Sequence, residues 1–280
     1  MSNYKERKEG FIIPMSSDVG LKGALKTQNE FFIKFASKLL NIPENAIKGG
    51  KFIDNETINR SDTESHRKVD LLFTTDSYLI NIEGNTYTEG ILYRNNTYIY
   101  RIIIDDKLVL DNLNDKYYFQ ININTKSFDC NKKLINRYEM REIETKEKLP
   151  FTPIIIHVQL DYLDKDGYTK NIDPWLIKAL KLFRADSEEE YKKIIGNDKL
   201  LGGVFKFMSN YSKNGRVLGE YDAEKDAEFI RNYDLKHAEE KGVKETKLET
   251  AKNMLNEKLE ISLILRVTGL GKDEIEKLTK

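Results

Sequence analysis

The chain of 280 residues has one cysteine, Cys130. A single thiol excludes an internal disulfide and any cysteine-rich zinc site, and it fits a reducing intracellular compartment. Long hydrophobic runs are also missing. No apolar stretch approaches the ~18 residues of a membrane span, and the charged segment Met1 to Gly10 lacks the apolar core of a secretion signal. Neither charge is in excess: Lys+Arg and Asp+Glu both number 46. That balance argues against a generally basic coat for nucleic acid, so any DNA contact must come from a local patch. What remains is 33% charged and 39% hydrophobic, the make-up of a soluble globular chain with ample core, as one large domain or a domain with an appendage.

The stretch from Arg67 to Asn85 organises the rest. Apolar residues alternate at Val69, Leu71 and Phe73 and again at Tyr78, Ile80 and Ile82, the period-two pattern of two strands with one buried face. Asp76-Ser77 is the turn. A two-residue loop there pairs Thr75 with Tyr78, Phe73 with Ile80, Leu71 with Ile82 and Asp70 with Glu83. A three-residue loop would send the apolar sets of the two strands to opposite faces, so the pattern selects the even register. In that register two carboxylates stand side by side with Cβ atoms roughly 4.5–5.5 Å apart, and directly opposed like charges destabilise a sheet. A divalent cation with hard oxygen ligands offsets this, and Mg²⁺ is commonly held by one or two carboxylates. Asn85 lies on the same face as Glu83, about 7 Å further along the strand.

Asp followed one strand later by Glu-x-(Lys or Gln) resembles the core of the PD-(D/E)XK nuclease superfamily. This version is most similar to the Rpn recombination-promoting nucleases, also called PD-(D/E)XK family transposases. Asp18-Val19-Gly20-Leu21-Lys22 resembles the family's opening Asp-x-x-Phe-Lys, Phe32 to Ile42 the apolar helix after it, and Arg94 to Tyr98 its Arg-x-x-x-Tyr helix. Phe119 to Asn124 and Ile154 to Leu163 resemble two later strands, Asp173-Pro174-Trp175-Leu176 a Trp-led helix, and Ala238 to Leu278 the tail. The resemblance implies an α/β, restriction-endonuclease-like core, a central mixed sheet flanked by helices, with a helical C-terminal region. The chain reads as a core at 1–186, a charged helical layer at 187–237, amphipathic and rich in both charge signs, and a helical tail at 238–280. One departure stands out: Asn85 occupies the place of the superfamily's usual Lys, or of this branch's frequent Gln. An amide can orient water but supplies no positive charge.

Taken in order, residues 11–46 have an extended start and then a helical face of Leu25, Phe32, Phe35, Ala36, Leu39 and Leu40, with Pro43 beyond it. Asp18 and Lys22, one turn apart, read as a surface ion pair or as contributors to the site from the first helix. An edge strand is expected near Phe52 to Ile58, then a polar loop carrying His66, read as a solvated histidine. After Asn85 the period becomes 3.6, and Tyr87, Ile91, Arg94, Tyr98 and Ile102 share a stripe. Arg94 within that stripe needs a partner, either Glu83, Asp70 or a carbonyl, and can clamp a phosphate as well. Strands follow at 117–124 and 151–162. His157 reads as a core residue, and nothing local ties Gln120 to the site. Asp173-Pro174 caps a helix with Trp175, Leu176, Ala179, Leu180 and Phe183 inward. Ile261 to Thr268, a glycine turn and Lys272 to Leu278 resemble a helix-turn-helix, for which the mixed charges of the second helix favour packing over base reading.

The resemblance implies a DNA endonuclease in which Asp70, Glu83 and the Gly84 carbonyl hold Mg²⁺ or Mn²⁺, Asn85 orients the attacking water and Arg94 meets the phosphate. It implies a bacterial cytoplasm, DNA as partner, no membrane, and an association with recombination or mobile elements. Double-strand cleavage is served most simply by two sites, which favours a homodimer. The alternative is a degenerate nuclease that binds DNA or a protein, with Asn85 as its main support. RNA is a third substrate, although no reader of a 2′-hydroxyl is identifiable.

Overall fold

The computed structural model describes residues 7–53, 69–86, 91–110, 116–127 and 132–278. His66, Tyr87, Cys130 and the residues that follow Ile53 in the expected edge strand lie outside them. The chain divides into two compact units, Met1–Tyr221 and Asp222–Lys280.

The first unit begins with three helices, α1 (Asp18–Thr27), α2 (Asn29–Leu40) and α3 (Glu44–Ile47). The single helical face expected over this region is broken at Gln28, whose backbone leaves the helical range at φ −96 and ψ 67. Ser17 caps α1 by accepting the Gly20 amide at 3.0 Å, a bond worth about 1 kcal/mol. Asn41 ends α2 in the left-handed region at φ 59, two residues before Pro43.

Six strands form one mixed sheet: β1 (Lys51–Ile53), β2 (Leu71–Thr74), β3 (Tyr78–Asn85), β4 (Tyr117–Asn124), β5 (Ile135–Tyr138) and β6 (Ile154–Gln159). Their order is β1-β2-β3-β4-β6-β5. The strands β1, β2 and β3 pair antiparallel, β3, β4 and β6 run parallel, and β5 returns antiparallel on β6. The hairpin register is the even one: Leu71 faces Ile82 and Phe73 faces Ile80, with the Thr75 amide closing the turn on the Tyr78 carbonyl. Val69 departs from the expected alternation. It precedes the strand and packs with Leu72 on the second face.

One face of the sheet presents Leu71, Phe73, Ile80, Ile82, Phe119, Ile121, Ile123, Ile156 and Val158 to the principal core. Helices α1, α2, α5 (Pro174–Leu182), α6 (Glu188–Ile195) and α7 (Lys199–Tyr211) contribute to that core. Asp173 caps α5 through the Leu176 amide at 3.0 Å. The expected boundary after residue 186 does not coincide with the division of the chain. Tyr191, Leu201, Val204 and Met208 are fully buried in the principal core, so residues 187–211 belong to the first unit rather than to a solvated layer.

The opposite face is covered by α4 (Ile91–Leu110), the crossover between the parallel strands β3 and β4. This face has two halves. Leu72, Leu79 and Tyr118 meet Ile99, Ile102 and Ile103 of α4. Beyond them the same strands present Asn81, Glu83, Asn85, Gln120, Asn122 and Asn124, all at most 1% exposed, against the start of α4 at Arg94 and Asn95. A buried polar face of this size requires hydrogen-bond partners for its members.

Helix α8 (Gly215–Asn256) runs without a break through the boundary expected at 237/238. In the second unit its last turns, α9 (Ile261–Thr268) and α10 (Lys272–Leu278) enclose a small core of Ala251, Ile264, Leu270 and Ile275. Gly269 ends α9 at φ +64, a conformation that costs glycine nothing. The helix-turn-helix spacing read from the sequence therefore matches the observed elements.

Candidate active site

The antiparallel pairing of β2 and β3 carries Asp70 and Glu83 to the polar half of the second face. Each carboxylate is held by the other strand. The Gly84 amide donates to Asp70 Oδ2 at 2.8 Å, and the Asp70 amide donates to Glu83 Oε1 at 3.4 Å. Asn81 Nδ2 adds a bond to Glu83 Oε1 at 3.2 Å. Gly84 itself faces the first helix: a Cβ there would meet Leu21 Cδ2 at 3.3 Å and the Ser16 carbonyl oxygen at 3.4 Å. The absence of a side chain lets β3 and α1 close on the site.

Electrostatics set this pair apart from the other carboxylates of the chain. Asp70 is partly open to solvent, yet burial pushes its pKa up to about 7, helped by the negative charge of Asp18. Lys22, the Gly84 amide and Arg94 oppose the rise. Glu83 is raised well above the usual carboxylate range, first by burial and next by Asp70, against the pull of Arg94, Asn81 and the Asp70 amide. Neighbouring acids whose pKa values are both raised, one of them by the charge of the other, are a candidate functional pair.

Arg94 and Asn85 complete the cluster. Arg94 Nη2 lies 3.9 Å from Glu83 Oε2 and donates to Asn85 Oδ1 at 2.8 Å. Arg94 Nε donates to Asn95 Oδ1 at 3.1 Å. Asn85 Nδ2 donates to Asn124 Oδ1 at 2.8 Å, leaving one of its two hydrogens for a further acceptor. The positive charge that Asn85 lacks is thus present next to it, on Arg94. Asp18 and Lys22 form an i,i+4 ion pair on α1, and both are close enough to act on Asp70.

The structure therefore brings together Asp70, Glu83, Gly84, Asn85 and Arg94, with Asp18 and Lys22 at the border. Sequence reasoning missed Asn81, Asn95, Gln120, Asn122 and Asn124. The signal was present in Gln120-x-Asn122-x-Asn124, three carboxamides at period two, which reads equally as a solvent-facing strand. His157 stays apart, buried and edge-on to the Tyr138 ring at 5.5 Å. A cavity of about 730 Å³ lined by Tyr78, Phe119, Arg137 and Asp173, among others, does not include the acidic pair.

Asp70 and Glu83 offer a hard divalent ion two carboxylate donors. Among the described residues no group of three or more His, Cys, Asp or Glu side chains is placed to hold a metal. Two carboxylates suffice for Mg²⁺, which keeps several of its waters. A cation also offsets the negative charge that Asp18 imposes on Asp70 and Asp70 on Glu83, so Asp70 and Glu83 fit such an ion.

Residues 244–280 match the family model described as the Rpn/YhgA-like nuclease family, C-terminal HTH domain. The match covers α9, α10 and the end of α8, and it supports the Rpn family and a nuclease-family member with a DNA-binding type of tail. No curated protein and no solved structure matches the chain.

Proposed function

We propose that the chain is a metal-dependent DNA endonuclease of the Rpn type, built on a restriction-endonuclease-like core and active in the bacterial cytoplasm on recombining or mobile DNA. The observation that carries this reading is the interlocked pair Asp70 and Glu83 with Arg94 beside it; the tail's match to a nuclease family supports it independently. Asp70, Glu83 and the Gly84 carbonyl would hold Mg²⁺ or Mn²⁺, which would polarise the phosphodiester and lower the pKa of a water. The chain's own residues do the rest. Gly84 N–H fixes Asp70, and Asn81 fixes Glu83. Arg94 brings a permanent charge to the phosphate, where developing negative charge is greatest. Asn85 anchors Arg94 by its oxygen and keeps one N–H for the attacking water. The tail adds a DNA contact, and a homodimer supplies two sites for double-strand cleavage.

The alternative, a degenerate member that binds DNA or protein without cutting, draws on the engagement of Asn85: its oxygen and one amide hydrogen are already taken by Arg94 and Asn124. One assay separates the readings. Supercoiled plasmid is incubated with Mg²⁺ or Mn²⁺ and the natural protein or Asp70→Ala at matched purity. Nicking by the natural protein alone establishes the nuclease, whereas equal inertness of both, with DNA still bound, establishes the binder.

A further inference from the structure

Gln120, Asn122 and Asn95 have no part in the chemistry just described, yet with Asn81, Glu83 and Arg94 they form a closed circuit. Asn81 Nδ2 donates both to Glu83 Oε1, at 3.2 Å, and to Gln120 Oε1, at 2.8 Å. Gln120 Nε2 donates to Asn122 Oδ1 at 3.0 Å, and Asn95 Nδ2 donates to the same oxygen at 2.6 Å. Asn95 Oδ1 accepts from Arg94 Nε at 3.1 Å, and Arg94 Nη2 faces Glu83 Oε2 at 3.9 Å. The path thus runs from Glu83 through Asn81, Gln120, Asn122, Asn95 and Arg94 back to Glu83.

We infer that Gln120 and Asn122 are positioning residues, which fix the Glu83 carboxylate and the Arg94 guanidinium relative to each other without touching substrate. The direct contact between the two charges is too long for a hydrogen bond and sets no orientation by itself. The circuit does, because each amide's orientation is dictated by its neighbours: Asn122 accepts from both sides and Asn81 donates to both. Asn95 presents N–H to Asn122, so the Asn122 oxygen accepts from Gln120. Gln120 is then obliged to turn its oxygen to Asn81, and Asn81 to turn its N–H groups to Glu83. A reversed amide at any step would set oxygen against oxygen or N–H against N–H. Asn81, Gln120, Asn122 and Asn95 are each at most 1% exposed, so water does not replace a lost bond. Burial alone does not call for amides here, since Leu72, Leu79 and Tyr118 cover the other half of the same face with apolar surface. The catalytic consequence rests on the nuclease reading; the mechanical one rests on the bonds.

The test uses the full chain and the size-matched replacement Gln120→Met. Solvent exchange of the Arg94 Nε–H, assigned by its loss in Arg94→Lys, is read by NMR, and plasmid nicking gives kcat and KM. The expected result is exchange at least tenfold faster and kcat at least tenfold lower, with KM within twofold. Should Gln120→Met not fold, Asn122→Leu carries the same measurements. Unchanged exchange in a folded variant overturns the inference, and so does faster exchange with unchanged kcat. A natural protein that leaves DNA uncut overturns the nuclease reading instead, and the exchange rates then decide the positioning of Arg94 by themselves.

Discussion

The backbone N–H of Asp70 donates to Glu83 Oε1 at 3.4 Å across the hairpin. The hydrogen bond from the Gly84 amide to Asp70 runs the opposite way, so neither carboxylate can move without disturbing the strand that carries the other.

That arrangement predicts a stability that depends on pH in the metal-free protein. A carboxyl whose pKa is raised in the folded chain binds its proton more tightly there. Its contribution is fully present below the ordinary value of 3.8 and is lost as pH rises through about 7. Glu83, raised in the same direction, adds to the effect. The groups shifted the other way, such as Asp173 and Glu188, have completed their titration by pH 5.5. With a chelator present, the melting temperature should fall between pH 5.5 and pH 8 by the equivalent of a few kcal/mol. Asp70→Asn should flatten that slope and Mn²⁺ should raise the melting temperature more at pH 8. Thermal unfolding at the two pH values checks it, and a melting temperature that does not fall would contradict the assignment.

Placing a lysine at position 85 should harm this chain. Asn85→Lys places an ammonium beside Arg94 at a position 1% exposed, removes the acceptor of the 2.8 Å bond and leaves Asn124 unsatisfied. A loss of about 3 kcal/mol or more is expected. Denaturant unfolding measures it, with nicking assayed in parallel. A stable variant that cuts while the natural protein is inert would mark the chain as a retired nuclease.

Gly84→Ala should cost about 1–3 kcal/mol, because the new methyl meets Leu21 and the Ser16 carbonyl at distances that force β3 and α1 apart. The expected activity loss exceeds what the stability change accounts for, since the Gly84 amide holds Asp70. Parallel unfolding and cleavage measurements separate the two effects.

Lys272 and Lys277 are exposed on α10. If the tail contacts DNA backbone, replacing both with Ala should weaken binding almost equally for all sequences and lower the salt slope by about 1 per lysine. Titration of duplex DNA at several salt concentrations reads this directly. An unchanged slope would assign the tail to packing, the role its mixed charges suggest.

The hairpin was legible because register and side-chain face are locked together: one wrong residue in the turn would have buried Asp70 and exposed Leu71. The glycine break at residue 269 was legible for a similar local reason. The amide face was not. A strand with polar residues at every second position looks the same whether water or a helix lies over it, and only the crossover through α4 decides. The start of that helix gave a partial clue in Arg94, whose need for partners was foreseen; Asn95, which shares the load, carries no such charge and drew no notice. The helices at 188–211 were misassigned to a solvated layer because their dense charge concealed single inward residues such as Tyr191 and Met208.

The two-toned underside of α4 also has a bearing on motion. A slip of one turn, about 5.4 Å, would lay Ile99 over the amides in one direction, or Asn95 over Leu79 and Tyr118 in the other. Either slip would strand polar groups against hydrocarbon. The helix sits like a key in a slot cut for one depth, so Arg94 arrives at Glu83 by the fit of residues more than a turn away from it.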